Sequence, residues 1–227
     1  MKDMINKMIT GFLSVIKRQS SIINNKKGFT LIELAIVMVI IGLILGAVMK
    51  GQDLIQGARA KKFISGTNSW TASSWAYMDR KGSFAGDNNK NGIIGDDAAD
   101  DPKNELTGAS FANPPASPLL LGGSAFYMFF GNDGHTTSKK NILLLCTKDD
   151  CSSKFTTDEL LFVDALDTSI DGLSDGTKGQ IRCTDTASIT TDKDKWLVGG
   201  GSPTDISSPV TCNESAYGIM YYFDRVP

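Results

Sequence analysis

Hydrophobic and polar positions divide the chain into stretches with different periods. Residues 29–49 form one continuous apolar run, Phe29-Thr-Leu-Ile-Glu-Leu-Ala-Ile-Val-Met-Val-Ile-Ile-Gly-Leu-Ile-Leu-Gly-Ala-Val-Met49, whose single ionisable side chain is Glu33. About 20 residues at a rise of about 1.5 Å each cross a hydrocarbon core of roughly 30 Å, so this run predicts a transmembrane helix. From Lys50 the apolar residues become periodic. Leu54, Ile55, Ala58, Ile64, Thr71, Trp75 and Met78 approximate one helical face, interrupted by Gly66-Thr-Asn-Ser69. No proline precedes Pro102 to stop a helix. One helix is therefore expected from about Thr30 to Met78, apolar all round over 29–49 and amphipathic over 50–80, with Trp70 and Trp75 as packing anchors.

Beyond residue 81 short apolar runs alternate with Gly, Asp, Asn, Ser and Thr. Strands are expected at 125–130, 141–146, 180–184, 195–198 and 217–223. Thr156-Thr-Asp-Glu159 has the pattern of a capping box and predicts a second helix over 160–170, ended by Asp171-Gly172. The expected fold class is α+β: a long N-terminal spine helix packed against a small antiparallel β-rich head over 81–227.

Charge changes this picture at its N-terminal end. Residues 1–28 carry six Lys or Arg against Asp3, a local +5, so the remaining residues hold −7 of the overall −2 in a chain of 227. Basic residues on the N-terminal side of the run leave that end in the cytoplasm and send the C-terminal part across. An ordinary secretory signal has a shorter apolar core than this 21-residue run over 29–49. The totals exclude a highly basic nucleic-acid binder and a multi-span transporter, so no nucleic-acid partner is expected.

Glu33 is the anomaly, because an isolated carboxylate in hydrocarbon costs about 3 kcal/mol on insertion scales. Near the cytoplasmic interface it can be solvated by headgroups; deeper in the membrane it needs a partner. Its neighbours decide in favour of a partner: Lys27-Gly28-Phe29-Thr30-Leu31-Ile32-Glu33 resembles the processing motif of type IV prepilins and type II secretion pseudopilins. That resemblance implies a leader over 1–28, cleavage after Gly28 by a prepilin peptidase, and methylation of Phe29. It also implies assembly through Phe29 and Glu33, the glutamate pairing with the α-amino group of a neighbouring subunit. The implied partners are identical or related pilin subunits, the peptidase and an inner-membrane assembly platform. The implied location is a single-pass inner-membrane precursor with a periplasmic head, and afterwards an extracellular pilus or a periplasmic pseudopilus.

The leader is long and contains an apolar patch over 8–16, leaving Met4 and Met8 as alternative starts. Where many pilins carry a proline, this chain has Lys50-Gly51, which leaves Gly42, Gly46 and Gly51 as the candidate source of flexibility and leaves open the melting of the helix on assembly. Val163-Asp-Ala-Leu-Asp-Thr-Ser-Ile-Asp-Gly172, followed by Gly179-Gln-Ile-Arg182, is similar to a helix, turn and strand element of a subset of prepilin-like proteins.

Candidate chemistry lies in the head. Asp87-Asn-Asn-Lys-Asn-Gly-Ile-Ile-Gly-Asp-Asp97 starts like a calcium loop, with Asp87, Asn89, Asn91 and the Ile93 carbonyl converging around the turn at Gly92. The twelfth position is Ala98, so Asp96, Asp97, Asp100 or Asp101 has to close the shell. The alternative is a solvated acidic loop whose Asn and Gly residues make turns. Cys146, Cys151, Cys183 and Cys212 all follow the span, and export makes two disulfides the default. Of three pairings, Cys146–Cys151 with Cys183–Cys212 is favoured, closing a small loop and tying the late strands. Zinc is disfavoured by a single histidine, His135, expected in an exposed loop.

Neither a nucleophile motif nor a phosphate loop accompanies these residues, and no enzymatic activity is expected. The expected function is a structural subunit of a type IV pilus-like filament. The alternatives are a secretion pseudopilin, or a minor tip subunit binding a surface, DNA or a secreted substrate.

Overall fold

The computed structural model describes residues 29–187, 189–199 and 204–224. The leader over 1–28, Gly28 included, lies outside the described residues. Helix α1 runs over Leu31–Lys81, three residues past the expected end. Its first part, within the unit that closes at Gln52, presents apolar side chains all round: Ile36, Leu43 and Met49 are all exposed.

The second unit begins at Asp53 and holds the rest of α1 and, among the described residues, the short helix α2 (Pro102–Gly108), helix α3 (Thr157–Asp171) and seven strands. The strands are β1 (Leu119–Leu121), β2 (Ser124–Asn132), β3 (Asn141–Cys146), β4 (Ile181–Thr184), β5 (Thr191–Asp192), β6 (Leu197–Val198) and β7 (Gly218–Tyr221). Their order is β4-β7-β3-β2-β6-β5, with β1 pairing β2. All pairs are antiparallel except β2 with β6, which meet in parallel at Phe130 and Leu197. The layout is α+β and pilin-like: a long N-terminal helix followed by a mainly antiparallel sheet. Strands β1 and β5 and helix α2 escape the sequence pattern because they are two to seven residues long and carry too little periodicity to stand out.

The sheet is buried on both faces, which explains why Ile142-Leu-Leu-Leu145 is a continuous apolar run rather than an alternating one. Leu143 and Leu145 join Met128, Phe130 and Ile219 in the layer that also contains Phe63 and Trp70 of α1 and Phe162 and Leu166 of α3. Ile142 and Leu144 face the other way, with Phe129, Met220, Tyr222, Val198 and Ile206.

The buried face of α1 differs from the expected stripe. Phe63, Thr67, Trp70, Thr71 and Ser74 are buried, while Leu54, Ile55 and Ala58 are exposed and Trp75 is 42% exposed. Thr67 and Ser73 can lie on the inner face because their hydroxyls return to the helix: Thr67 Oγ1 donates to the Phe63 carbonyl at 3.0 Å and Ser73 Oγ to that of Trp70 at 2.7 Å. Trp70 is fully buried and meets Trp196 edge-on at 4.7 Å, whereas Trp75 rests edge-on against Phe84 at 5.1 Å. Helix α3 is capped as expected, with Thr156 and Glu159 exchanging side-chain bonds at its start and Gly172 at φ 80° closing its end.

Candidate functional site

The first candidate region is the start of α1. Thr30 and Glu33 form a reciprocal cap: Glu33 Oε2 accepts from the Thr30 N–H at 2.8 Å and from Thr30 Oγ1 at 2.9 Å, while the Glu33 N–H donates to Thr30 Oγ1 at 3.3 Å. A carboxylate here satisfies orphan donors and complements the positive end of the helix dipole. Phe29 is 80% exposed, beside this cap. Glu33 thus has a role within one chain that the motif alone does not predict, its carboxylate lying on the Thr30 main-chain N–H. Among the described residues, α1 is the one helix long and apolar enough to cross a membrane, and the window that meets this test is wholly unburied.

The second region is the loop over 86–101. Asp87 accepts the N–H of Asn91 on Oδ1 and of Gly92 on Oδ2, each at 3.0 Å; Asn89 Oδ1 accepts the Asn91 N–H at 3.0 Å and Asn91 Oδ1 the Ile93 N–H at 2.8 Å. Asn89 and Asn91 then donate their amide N–H groups to Asp96, at 3.1 and 2.6 Å. Asp87, Asn89, Asn91 and Asp96 therefore converge around Gly92, which adopts φ 87°. Asp97 does not join them. Its Oδ1 accepts the Ala99 N–H at 2.9 Å, because consecutive side chains leave the chain in different directions. Asp101 caps α2, and Asp100 is the buried hub, accepting from the N–H groups of Asn88, Gly95 and Asp97. Burial holds its carboxyl above the ordinary range, against those N–H bonds.

The converging donors are all hard oxygens, which suits calcium. Only two are carboxylates, and no group of three or more His, Cys, Asp or Glu is placed to hold a metal among the described residues. The residues that would hold calcium are Asp87, Asn89, Asn91 and Asp96, with the Ile93 carbonyl. The hydrogen bonds from the two amides to Asp96 close the loop on themselves.

Two residues that pin this loop were not singled out from the sequence. Asn141 accepts the Ile94 N–H on Oδ1 at 2.8 Å and donates to the Gly92 carbonyl at 2.8 Å; Asn132, its cross-strand partner, donates to the Ile94 carbonyl at 2.8 Å. The available signal was a polar pair closing one rung of two otherwise apolar strands. Ile94 itself is fully buried. Beside the pin, Gly131 and Gly95 leave room for the Val198 backbone: a Cβ on either would lie within 2.8 Å of Val198 atoms.

The four cysteines pair as Cys146–Cys151 and Cys183–Cys212, with Cα separations of 5.2 and 5.3 Å. His135 is half-buried rather than exposed, its Nδ1 accepting the N–H groups of Thr137 and Ser138. At the other end of α1, burial and then the neighbouring Glu105 carboxylate push the Tyr77 phenol up to about 12.

No curated protein and no solved structure matches the chain. A protein-family model does, the prokaryotic N-terminal methylation motif, over residues 23–49. With that motif leading into an α+β, pilin-like layout, the chain carries the hallmark of the type IV prepilin and pseudopilin family.

Proposed function

We propose that this protein is a non-enzymatic structural subunit of a type IV pilus-like filament, cut between Gly28 and Phe29 by a prepilin peptidase and polymerised through its N-terminal helix. The leader spans 1–28, the filament-core and membrane segment 29–49, its amphipathic continuation 50–80 and the head 81–227. The observation that carries this reading is Glu33, the lone carboxylate of the exposed apolar run over 29–49 and the fifth residue of the chain that begins after Gly28. In a bundle of such helices an unpaired charge is expensive, and the α-amino group of a neighbouring Phe29 neutralises it while fixing the axial register. Intact-mass analysis of assembled material should give a chain starting at methylated Phe29; an intact leader in the filament overturns the proposal.

A secretion pseudopilin is the second reading, favoured by the convergence of oxygen donors from Asp87, Asn89, Asn91 and Asp96, with calcium as the bound ion. For that ion, EDTA should lower the melting temperature of the wild-type chain, and Asp87→Ala should remove the response. Recovery of the protein as the main component of sheared surface filaments selects the pilus. Loss of secretion in a deletion strain, with surface filaments intact, selects the pseudopilus.

A further inference from the structure

Helix α3 and the segment that follows it are joined by carboxylates. Asp164 accepts from Ser174 Oγ at 2.6 Å, Asp167 Oδ2 accepts the Gly176 N–H at 3.0 Å, and Asp171 accepts the N–H groups of Gln180 at 3.0 Å and Ile181 at 2.8 Å. The spacing of three and four residues puts the acceptors on one side of the helix. Asp164 is part exposed, but Asp167 is only 1% exposed, and its Oδ1 is buried with no hydrogen-bond partner.

A buried carboxylate oxygen without a partner is the costliest state this group can adopt, and protonation removes most of that cost. The charges acting on Asp167 worsen it, since Asp171 on the helix and Asp175 on the following segment are both negative. The cations nearby are engaged elsewhere. Lys178 stands by Asp175, whose carboxylate is held low by the N–H groups of Thr177 and Lys178. Arg182 of β4 donates to the Gly179 carbonyl and lies over the Tyr222 ring. From β7, Tyr221 faces Asp171, and burial first, then that charge, raises its phenol.

What Asp167 holds matters to its surroundings. Gly176, whose N–H it binds, accepts from the Cys183 N–H at 2.9 Å and packs so closely on Cys212 that a Cβ would lie 2.3 Å from the sulfur. The segment over 173–180 therefore depends on Asp167 at one side and on the Cys183–Cys212 bridge at the other.

We propose that Asp167 is a proton-held latch: in its neutral form it fastens the 173–180 segment to α3, and loss of the proton loosens that segment beside the Cys183–Cys212 disulfide. Burial first, and then the charges of Asp171 and Asp175, raise its carboxyl from an ordinary 3.8 to about 6, against the N–H bond from Gly176 and a lesser one from the Asp175 main chain. The closed segment binds the proton more tightly than the open one. The latch is therefore strongest in acid and weakens as pH rises through about 6.

The test is hydrogen–deuterium exchange of the full chain in detergent micelles over a pH series from about 5 to about 7.5, corrected for intrinsic rates. Linkage over that interval predicts an opening constant for 173–180 about tenfold larger at the higher pH. Asp167→Asn, a neutral isostere, should abolish the difference. Asp175→Asn keeps its acceptor oxygen but loses the charge, and should move the midpoint to lower pH. Equal protection at both ends of the series in the wild type, or an unchanged pH dependence in Asp167→Asn, overturns the latch. If Asp167→Asn does not fold, an unshifted midpoint in Asp175→Asn overturns it instead.

Discussion

Two stretches of this chain are equally apolar and have opposite fates. Residues 142–145 are fully buried on both faces of a sheet, while apolar side chains over 29–49 such as Ile36, Leu43 and Met49 are at least half exposed. The first stretch finds its partners within the chain. The second finds none within its own unit among the described residues, and lipid tails or the helices of other subunits would cover it in the assembly proposed above. The glycines repeat the contrast: a Cβ on Gly42, Gly46 or Gly51 would meet nothing within 4 Å, whereas one on Gly66 would lie 2.8 Å from Leu119. Self-sufficiency marks the part that folds, and its absence marks the part for which assembly is proposed.

The sharpest way to break this comparison is at the one charge in the outward-facing stretch. Glu33→Ala should leave membrane insertion intact and abolish polymerisation, read as loss of sedimentable filaments; normal filaments would remove the proposed pairing. Next in size is a test of self-sufficiency. Phe63→Ala, at a fully buried position, should destabilise the second unit by about 3–5 kcal/mol, lowering its melting temperature by roughly 10 °C. Ile44→Ala in the exposed stretch should leave that melt unchanged. Smaller again, removing the Cys183–Cys212 bridge should cost about 3.5 kcal/mol and removing Cys146–Cys151 about 2 kcal/mol, because they close 29 and 5 residues of chain. Denaturant melts of paired Cys→Ser variants check that order.

What could be read in the sequence follows the same division. The apolar run, the long helix and the capping box at Thr156 and Glu159 are local patterns with a fixed period or spacing, and each is present. Strand 141–146 was legible for a related reason, since an unbroken apolar run bounded by turns has few other uses. The inner face of α1 was misplaced because Thr67 and Ser73 are buried there with Phe63 and Trp70. Nothing in a hydrophobic period announces that a hydroxyl will bond back to its own helix. The loop at Asp87–Asn91 was visible as a motif, but Asp97 and Asp100 could not be sorted. Which carboxylate turns inward depends on backbone N–H groups set by the loop's final path. The pins from Asn132 and Asn141 connect residues 38 and 47 positions away, a distance over which no local pattern operates.

Those pins carry one more consequence. Asn141 accepts from the Ile94 N–H and donates to the carbonyl of Gly92 and to Asp224, while sitting in the last rung of β2 and β3. The loop cannot peel away unless that rung gives up its bonds as well. Under attack by a protease, the survival time of the 86–101 segment is then set by how often the sheet end opens, not by the loop's own glycines.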